Sequence, residues 1–191
     1  MDRELVRHLL DETGATRNRD VLADIFRTAY DLASDDADRL DLKSTRDAMR
    51  EMRTAYRLFA PYRDVRKVTV FGSARTLRTD PLYGHALKLA ESLADAGWMV
   101  VTGAGPGIMA AATEGAGAER SLGVTIRLPF EETSVGPLSG SDRVVNMKYF
   151  FTRKLMLMKE SSGFVSLPGG FGTLDETLEL LTLLQTGKAT P

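Results

Sequence analysis

A carboxylate, two cations and a glycine-rich turn lie close together in the last third of the chain. The run Pro168-Gly169-Gly170-Phe171-Gly172-Thr173 leads to Glu176, and Arg153-Lys154 comes before it, with 23 positions from Arg153 to Glu176. Glycines at 169, 170 and 172 let backbone amides meet a ligand without side-chain obstruction. The turn opens into a helical pattern, whose first N–H groups lack intrahelical partners and whose dipole favours an anion. A phosphate fits there. The G-K-[ST] ending of a Walker loop is missing, so a monophosphate is a more economical ligand than a magnesium-bound triphosphate. Glu176 carries two readings that do not exclude each other. Thr173-Leu174-Asp175-Glu176 is a capping box with Thr173 as N-cap and Glu176 at N3. The same carboxylate also lies at the mouth of the site, where an anion beside a phosphate needs a reason beyond capping.

Two further turns contain glycine, Gly72-Ser73-Ala74-Arg75 and Gly103-Ala104-Gly105-Pro106-Gly107. The second resembles a dinucleotide fingerprint but has Ile108 in place of the third glycine, and no carboxylate ends the next strand, so NAD is a poor fit. The helical pattern from Met147 to Glu160 places Phe150, Phe151, Leu155, Leu157 and Met158 on an apolar arc of roughly 160°. Arg153 lies at the edge of that arc. Lys154 lies inside it, which leaves a lysine that snorkels, pairs, or faces an interface or ligand.

The elements that must hold these residues alternate in period. Strands are expected at 68–72, 98–102, 123–128, 143–147 and 163–167, with helices at 81–96, 108–118, 147–160 and 173–186 and a loop over 129–142. Alternating strands and helices predict an α/β, Rossmann-like, doubly wound parallel sheet. All three turns then gather at one sheet edge, where such sheets bind ligands. Before this body, residues 1–67 carry 28 of the 51 charged side chains and one of the 17 glycines. Helical spacing over 20–33 and 44–59 makes this arm an N-terminal helical extension (1–65) to a nucleotide-binding catalytic domain (66–191), with Asn18 or Ser44 as caps and Pro61 as a stop. The arm supplies no residue to the chemistry itself.

Composition narrows the chemistry. There is no cysteine, and there are two histidines far apart in sequence, so thiol nucleophiles, a Ser-His-Asp triad and multi-His metal sites are disfavoured. The formal net charge is −1 and neither part is strongly basic, which disfavours nucleic acid as a partner. The chain contains no apolar run of about 20 residues for a membrane span. Its N-terminus lacks the pattern of a secretory signal, so a cytoplasmic protein is expected.

Arg153-Lys154, the strand 163–167 and Pro168-Gly-Gly-Phe-Gly-Thr173-Leu-Asp-Glu176 together resemble the Lonely Guy (LOG) family, whose hallmark is an R-K pair followed by P-G-G-x-G-T-x-x-E. Phe71-Gly72-Ser73 and Gly103 to Met109 match its two earlier turns, and the resemblance covers about residues 66–188. Phe150-Phe151-Thr152 stand where many members have Met-His, and the arm is similar to that of an extended bacterial branch. The resemblance implies cleavage of the N-glycosidic bond of nucleoside 5′-monophosphates, AMP or cytokinin riboside monophosphates, to free base and ribose 5-phosphate. It implies Arg153 and Glu176 as catalytic residues. Gly72, Ser73, Gly105, Gly107, Lys154, Gly169, Gly170, Gly172 and Thr173 become substrate-binding residues. Neither cofactor nor metal is required. The alternative on the same fold is a non-catalytic carrier of a nucleotide or of the molybdenum cofactor. Members are often labelled lysine decarboxylases, but no Schiff-base cofactor motif is visible here. The resemblance also implies one more strand–helix unit beyond Pro191, without which the edge at the fifth strand is exposed, and the apolar helix that carries Lys154 predicts a homodimer or higher homo-oligomer.

Overall fold

The computed structural model describes residues 2–127 and 137–189. The ends of the expected third strand (Leu128) and of the chain (Thr190 and Pro191), and much of the loop expected over 129–142, lie outside the described residues. The chain divides into two compact units, Met1–Asp47 and Ala48–Pro191.

The first unit contains helices α1 (Arg3–Glu12) and α2 (Arg19–Ser34) and the start of α3 (Arg39–Phe59). Its small core is Val6, Leu10 and Ala23, with Leu22 and Phe26 packed against them. α1 has no counterpart among the helices expected from sequence. Asp2 caps it, its side chain accepting from Glu4 N. Asn18 does precede α2, in the left-handed region at φ 53°, but makes no side-chain cap bond. α3 begins before Ser44, and Asp38 Oδ1 caps it by accepting from Leu40 N and Asp41 N at 2.7 and 2.8 Å.

The second unit contains the end of α3, followed by β1 (Lys67–Phe71), α4 (Pro81–Asp95), β2 (Met99–Thr102), α5 (Ile108–Ala116), β3 (Ser121–Ile126), β4 (Val144–Met147), α6 (Phe150–Lys159), β5 (Gly163–Ser166) and α7 (Phe171–Gln185). The five strands form one parallel sheet in the order β4-β3-β2-β1-β5. This is the expected α/β, Rossmann-like fold. Alternate side chains along each strand enter opposite cores, as a sheet covered on both faces requires. Val68, Val70 and Val100 pack with Tyr83, Ala86 and Ala90 of α4 and with Ile108, Ala111 and Ala112 of α5. Phe71, Met99, Val101, Leu122 and Val124 pack on the other face with Met156 and Leu157 of α6 and with Ala55 and Phe59 of α3. The chain moves outward from β1 through β2 and β3 to β4, then returns to place β5 on the other side of β1. That reversal puts the topological switch beside β1. Among the described residues β5 pairs only with β1, so it forms one edge of the sheet.

Candidate functional site

The three turns meet at the carboxyl end of β1 and are joined through one residue. Ile108 N, at the start of α5, donates to Ser73 O at 3.0 Å, and Ser73 N donates to Pro168 O at 3.2 Å. Gly107 allows the first of these contacts. It has φ +67°, and a Cβ on it would strike the backbone of Ser73 and Ala74. The adjoining Ala104 is held at φ 54°, unusual for a residue with a side chain.

Above this junction lies a cavity of about 540 Å³. Its walls come from Gly72, Ser73 and Arg75 after β1, Gly103 and Met109 around the start of α5, Arg153 on α6, and Gly170, Phe171, Gly172, Thr173 and Glu176 on α7. The structure thus brings Gly72, Ser73, Arg153, Gly170, Gly172, Thr173 and Glu176 to one cavity. Gly105, Gly107, Gly169 and Lys154 are not among the lining residues. Gly107 and Gly169 instead lie where the turns pack: a Cβ on Gly169 would meet Thr173 and, at 3.0 Å, Ser73 N.

The charged wall is one buried pair. Arg153 Nη1 donates to Glu176 Oε1 at 2.8 Å, and Arg153 Nε donates to Val124 O of β3 at 3.0 Å. The two side chains are 13% and 10% exposed. A Cβ on Gly103 would collide with Arg153 Nη2, so the missing side chain at 103 is the space that seats the guanidinium. Burial pushes the Glu176 carboxyl above its ordinary pKa, and the charge of Arg153 offsets this only in part. A buried, charge-paired carboxylate in a cleft is a functional-site signature.

The capping-box reading of Glu176 fails. α7 starts at Phe171 with Gly170 as N-cap and no side-chain cap bond, two residues before the expected start. Thr173 is therefore inside the first turn, and Glu176 reaches across to α6 instead of back to its own N-terminus. The helix keeps its first amides uncapped at the cavity wall.

Lys154 resolves into a pair. Its Nζ lies 2.8 Å from Asp175 Oδ2 and 2.8 Å from Glu179 Oε2, both on α7. Burial disfavours its charge, but the two carboxylates outweigh burial and raise its pKa above the ordinary lysine value. Arg153–Glu176 and Lys154–Asp175/Glu179 are thus adjacent cross-links between α6 and α7.

Sequence reasoning passed over Arg75, Met109 and Phe171 in the cavity lining. It also passed over Glu51 on α3, which holds the start of α6. Glu51 Oε1 accepts from Lys148 N at 2.7 Å, and Glu51 Oε2 accepts from Tyr149 N at 3.4 Å and from the buried Thr152 hydroxyl at 2.7 Å. Tyr149, the N-cap of α6, makes no side-chain cap bond. A carboxylate from another helix therefore does the capping and complements the dipole of the helix that carries Arg153. No local signal marks Glu51.

Comparison with known proteins follows the same residues. A family model described as "Possible lysine decarboxylase" matches residues 107–191. The chain is 31% identical over 124 residues to a probable cytokinin riboside 5′-monophosphate phosphoribohydrolase of Oryza sativa subsp. japonica, covering 63% of this chain and 49% of the relative. It is 27% identical over 125 residues to a cytokinin riboside 5′-monophosphate phosphoribohydrolase of Arabidopsis thaliana, covering 64% and 58%. The chain spans about half the length of the curated relatives it matches. Among solved structures, the molybdenum cofactor binding protein of Rippkaea orientalis superposes with a TM-score of 0.50 at 25% identity, covering 62% of this chain and 71% of that one. The chain is similar in sequence to these phosphoribohydrolases over part of its length, and the matched family segment contains the run from Arg153 to Glu176 that forms the charged wall of the cavity.

Proposed function

We propose that the cavity hydrolyses the N-glycosidic bond of a nucleoside 5′-monophosphate, releasing the free base and ribose 5-phosphate. The observation that carries this reading is the buried Glu176 carboxylate, fixed by Arg153 on the same cavity wall as the uncapped, glycine-rich start of α7. The amides around Gly170, Gly172 and Thr173 receive the 5′-phosphate. The sugar then lies along the first turn of α7, within reach of Glu176. As the C1′–N bond breaks, its electron pair leaves with the base and positive charge grows on the sugar. A carboxylate stabilises such an oxocarbenium-like state and orients the water that adds to C1′. Arg153 keeps Glu176 in place and faces the departing base. No lysine is among the cavity-lining residues, and Lys154 is held protonated by two carboxylates. That is the opposite of what an amine needs to form a Schiff base, so a decarboxylase reading finds no support in these residues.

The protein is further proposed to work as a homo-oligomer. Leu174, Leu178 and Leu181 form an exposed stripe along α7, with Phe151 and Leu155 exposed on α6. Among the described residues no helix is long and apolar enough to cross a membrane.

A carrier without catalysis is the second reading, favoured by the likeness to the molybdenum cofactor binding protein. Incubation of the purified protein with AMP and with isopentenyladenosine monophosphate separates the two. Release of free base supports the hydrolase. Tight binding of the nucleotide with no base released supports the carrier.

A further inference from the structure

Two arginines follow β1, and only one of them is engaged. Arg78 pairs with Glu114 and lies over the ring of Tyr83, 5.5 Å from its centroid. Arg75 lines the cavity, and among the described residues no hydrogen bond, ion pair or ring contact engages its guanidinium. Its backbone is fixed nonetheless. Arg75 N donates to Ser73 Oγ at 3.1 Å, and Ser73 is the residue that ties the three turns together. Among the described residues the guanidinium is therefore a cation without a partner, mounted on a braced loop. The cavity's charge balance points the same way. Among the described residues its charged lining is Arg75, Arg153 and Glu176, and the last two neutralise each other. Among the described residues, the uncompensated charge of the cavity is Arg75.

We infer that Arg75 is the side chain that grips the substrate's phosphomonoester, so that the site selects nucleoside 5′-monophosphates over the uncharged nucleosides. A guanidinium offers a phosphate two parallel N–H donors on a full positive charge, which the neutral amides of the glycine-rich turn lack and Glu176 opposes. The phosphate lies between Arg75 and the first turn of α7, and Glu176 is kept from it by its own pair with Arg153. This inference rests on the proposed hydrolase for its kinetic meaning, but not for its binding test.

The test uses the intact protein and its Arg75→Ala and Arg75→Lys variants. Calorimetric titration with ribose 5-phosphate, and separately with ribose, reads the phosphate contact without any turnover. Arg75→Ala is expected to weaken ribose 5-phosphate binding by roughly 10- to 100-fold and leave ribose unchanged, with Arg75→Lys in between. With AMP as substrate, KM rises by a similar factor while kcat changes little, because a contact made equally in ground and transition states sets KM. Equal ribose 5-phosphate affinity in wild type and Arg75→Ala overturns the proposal, as does a wild type that does not bind ribose 5-phosphate. A wild type that binds ribose 5-phosphate through Arg75 but releases no base from any nucleotide overturns the hydrolase reading alone.

Discussion

Glu176 joins a buried position to a raised pKa, and both have measurable consequences. In the proposed hydrolysis the ionised carboxylate is the working form, so kcat/KM should fall on acidification at a pH above that of an exposed glutamate. A glutamate with a raised native pKa contributes stability that is complete below its unfolded pKa and lost as pH rises through the native one. Glu176→Gln removes that dependence. Relative to wild type, the variant should therefore gain stability as pH rises through this window, as read by denaturant titration at several pH values. Turnover in Glu176→Gln should drop by about 10²- to 10³-fold with the fold intact. Gly103 makes a matching case from the opposite wall. Gly103→Ala puts a methyl group where Arg153 Nη2 lies, so the guanidinium must leave Glu176 or the turn must shift. The overpacking should cost about 1–3 kcal/mol, and activity should fall further than that loss of folded protein explains. Parallel melting and initial-rate measurements distinguish the two effects. The residue types of this site were legible in the sequence; their partners were not. Thr173-x-x-Glu176 has the local form of a capping box, and only the neighbouring α6 shows where the carboxylate goes. Lys154 likewise stood among apolar neighbours with three open explanations until Asp175 and Glu179 of α7 closed on it.

At the scale of elements, α6 is placed by a helix that precedes the sheet. Glu51 on α3 supplies the cap that the α6 sequence lacks, and α6 in turn presents Arg153. Glu51→Ala should cost about 1–2 kcal/mol, the usual range for a lost cap. It should also lower kcat through Arg153, although Glu51 itself is not among the cavity-lining residues. Thermal melts and kinetics on Glu51→Ala and Glu51→Gln check this, with Gln retaining an acceptor and part of the effect. The strands and helices of the sheet were readable because each buried strand is a short β-branched run punctuated by glycine, and each helix repeats at helical spacing. α1 was missed because the charges of Arg3 to Glu12 hide a buried face of only Val6 and Leu10. The start of β3 was placed late because Ser121 does not look like a core residue, yet it is fully buried with its hydroxyl bonded to Gly117 O. Glu51 has no local signature at all, since its partners are about a hundred positions further along the chain.

On the scale of the whole molecule, the surface of α7 exposes Leu174, Leu178 and Leu181. A stripe of three exposed leucines is a larger apolar exposure than isolated surface residues explain. If the stripe joins two copies, Leu178→Lys should lower the mass seen by light scattering to that of one chain and leave the spectrum of the folded protein unchanged. The strand order has a consequence of another kind. β1 and β5 flank the point where the sheet reverses, and their pairing joins residues 68–71 to residues 163–166. This is the most distant pairing in the sheet, and contacts between remote segments carry the greatest entropic delay in folding. Arg153 and Glu176 lie on the two helices that flank β5, so their encounter waits on that closure. A nascent chain that has packed its first four strands has neither the Arg153–Glu176 pair nor the start of α7. The proposed site therefore assembles only once β5 has paired with β1, and binding of ribose 5-phosphate would report on that closure.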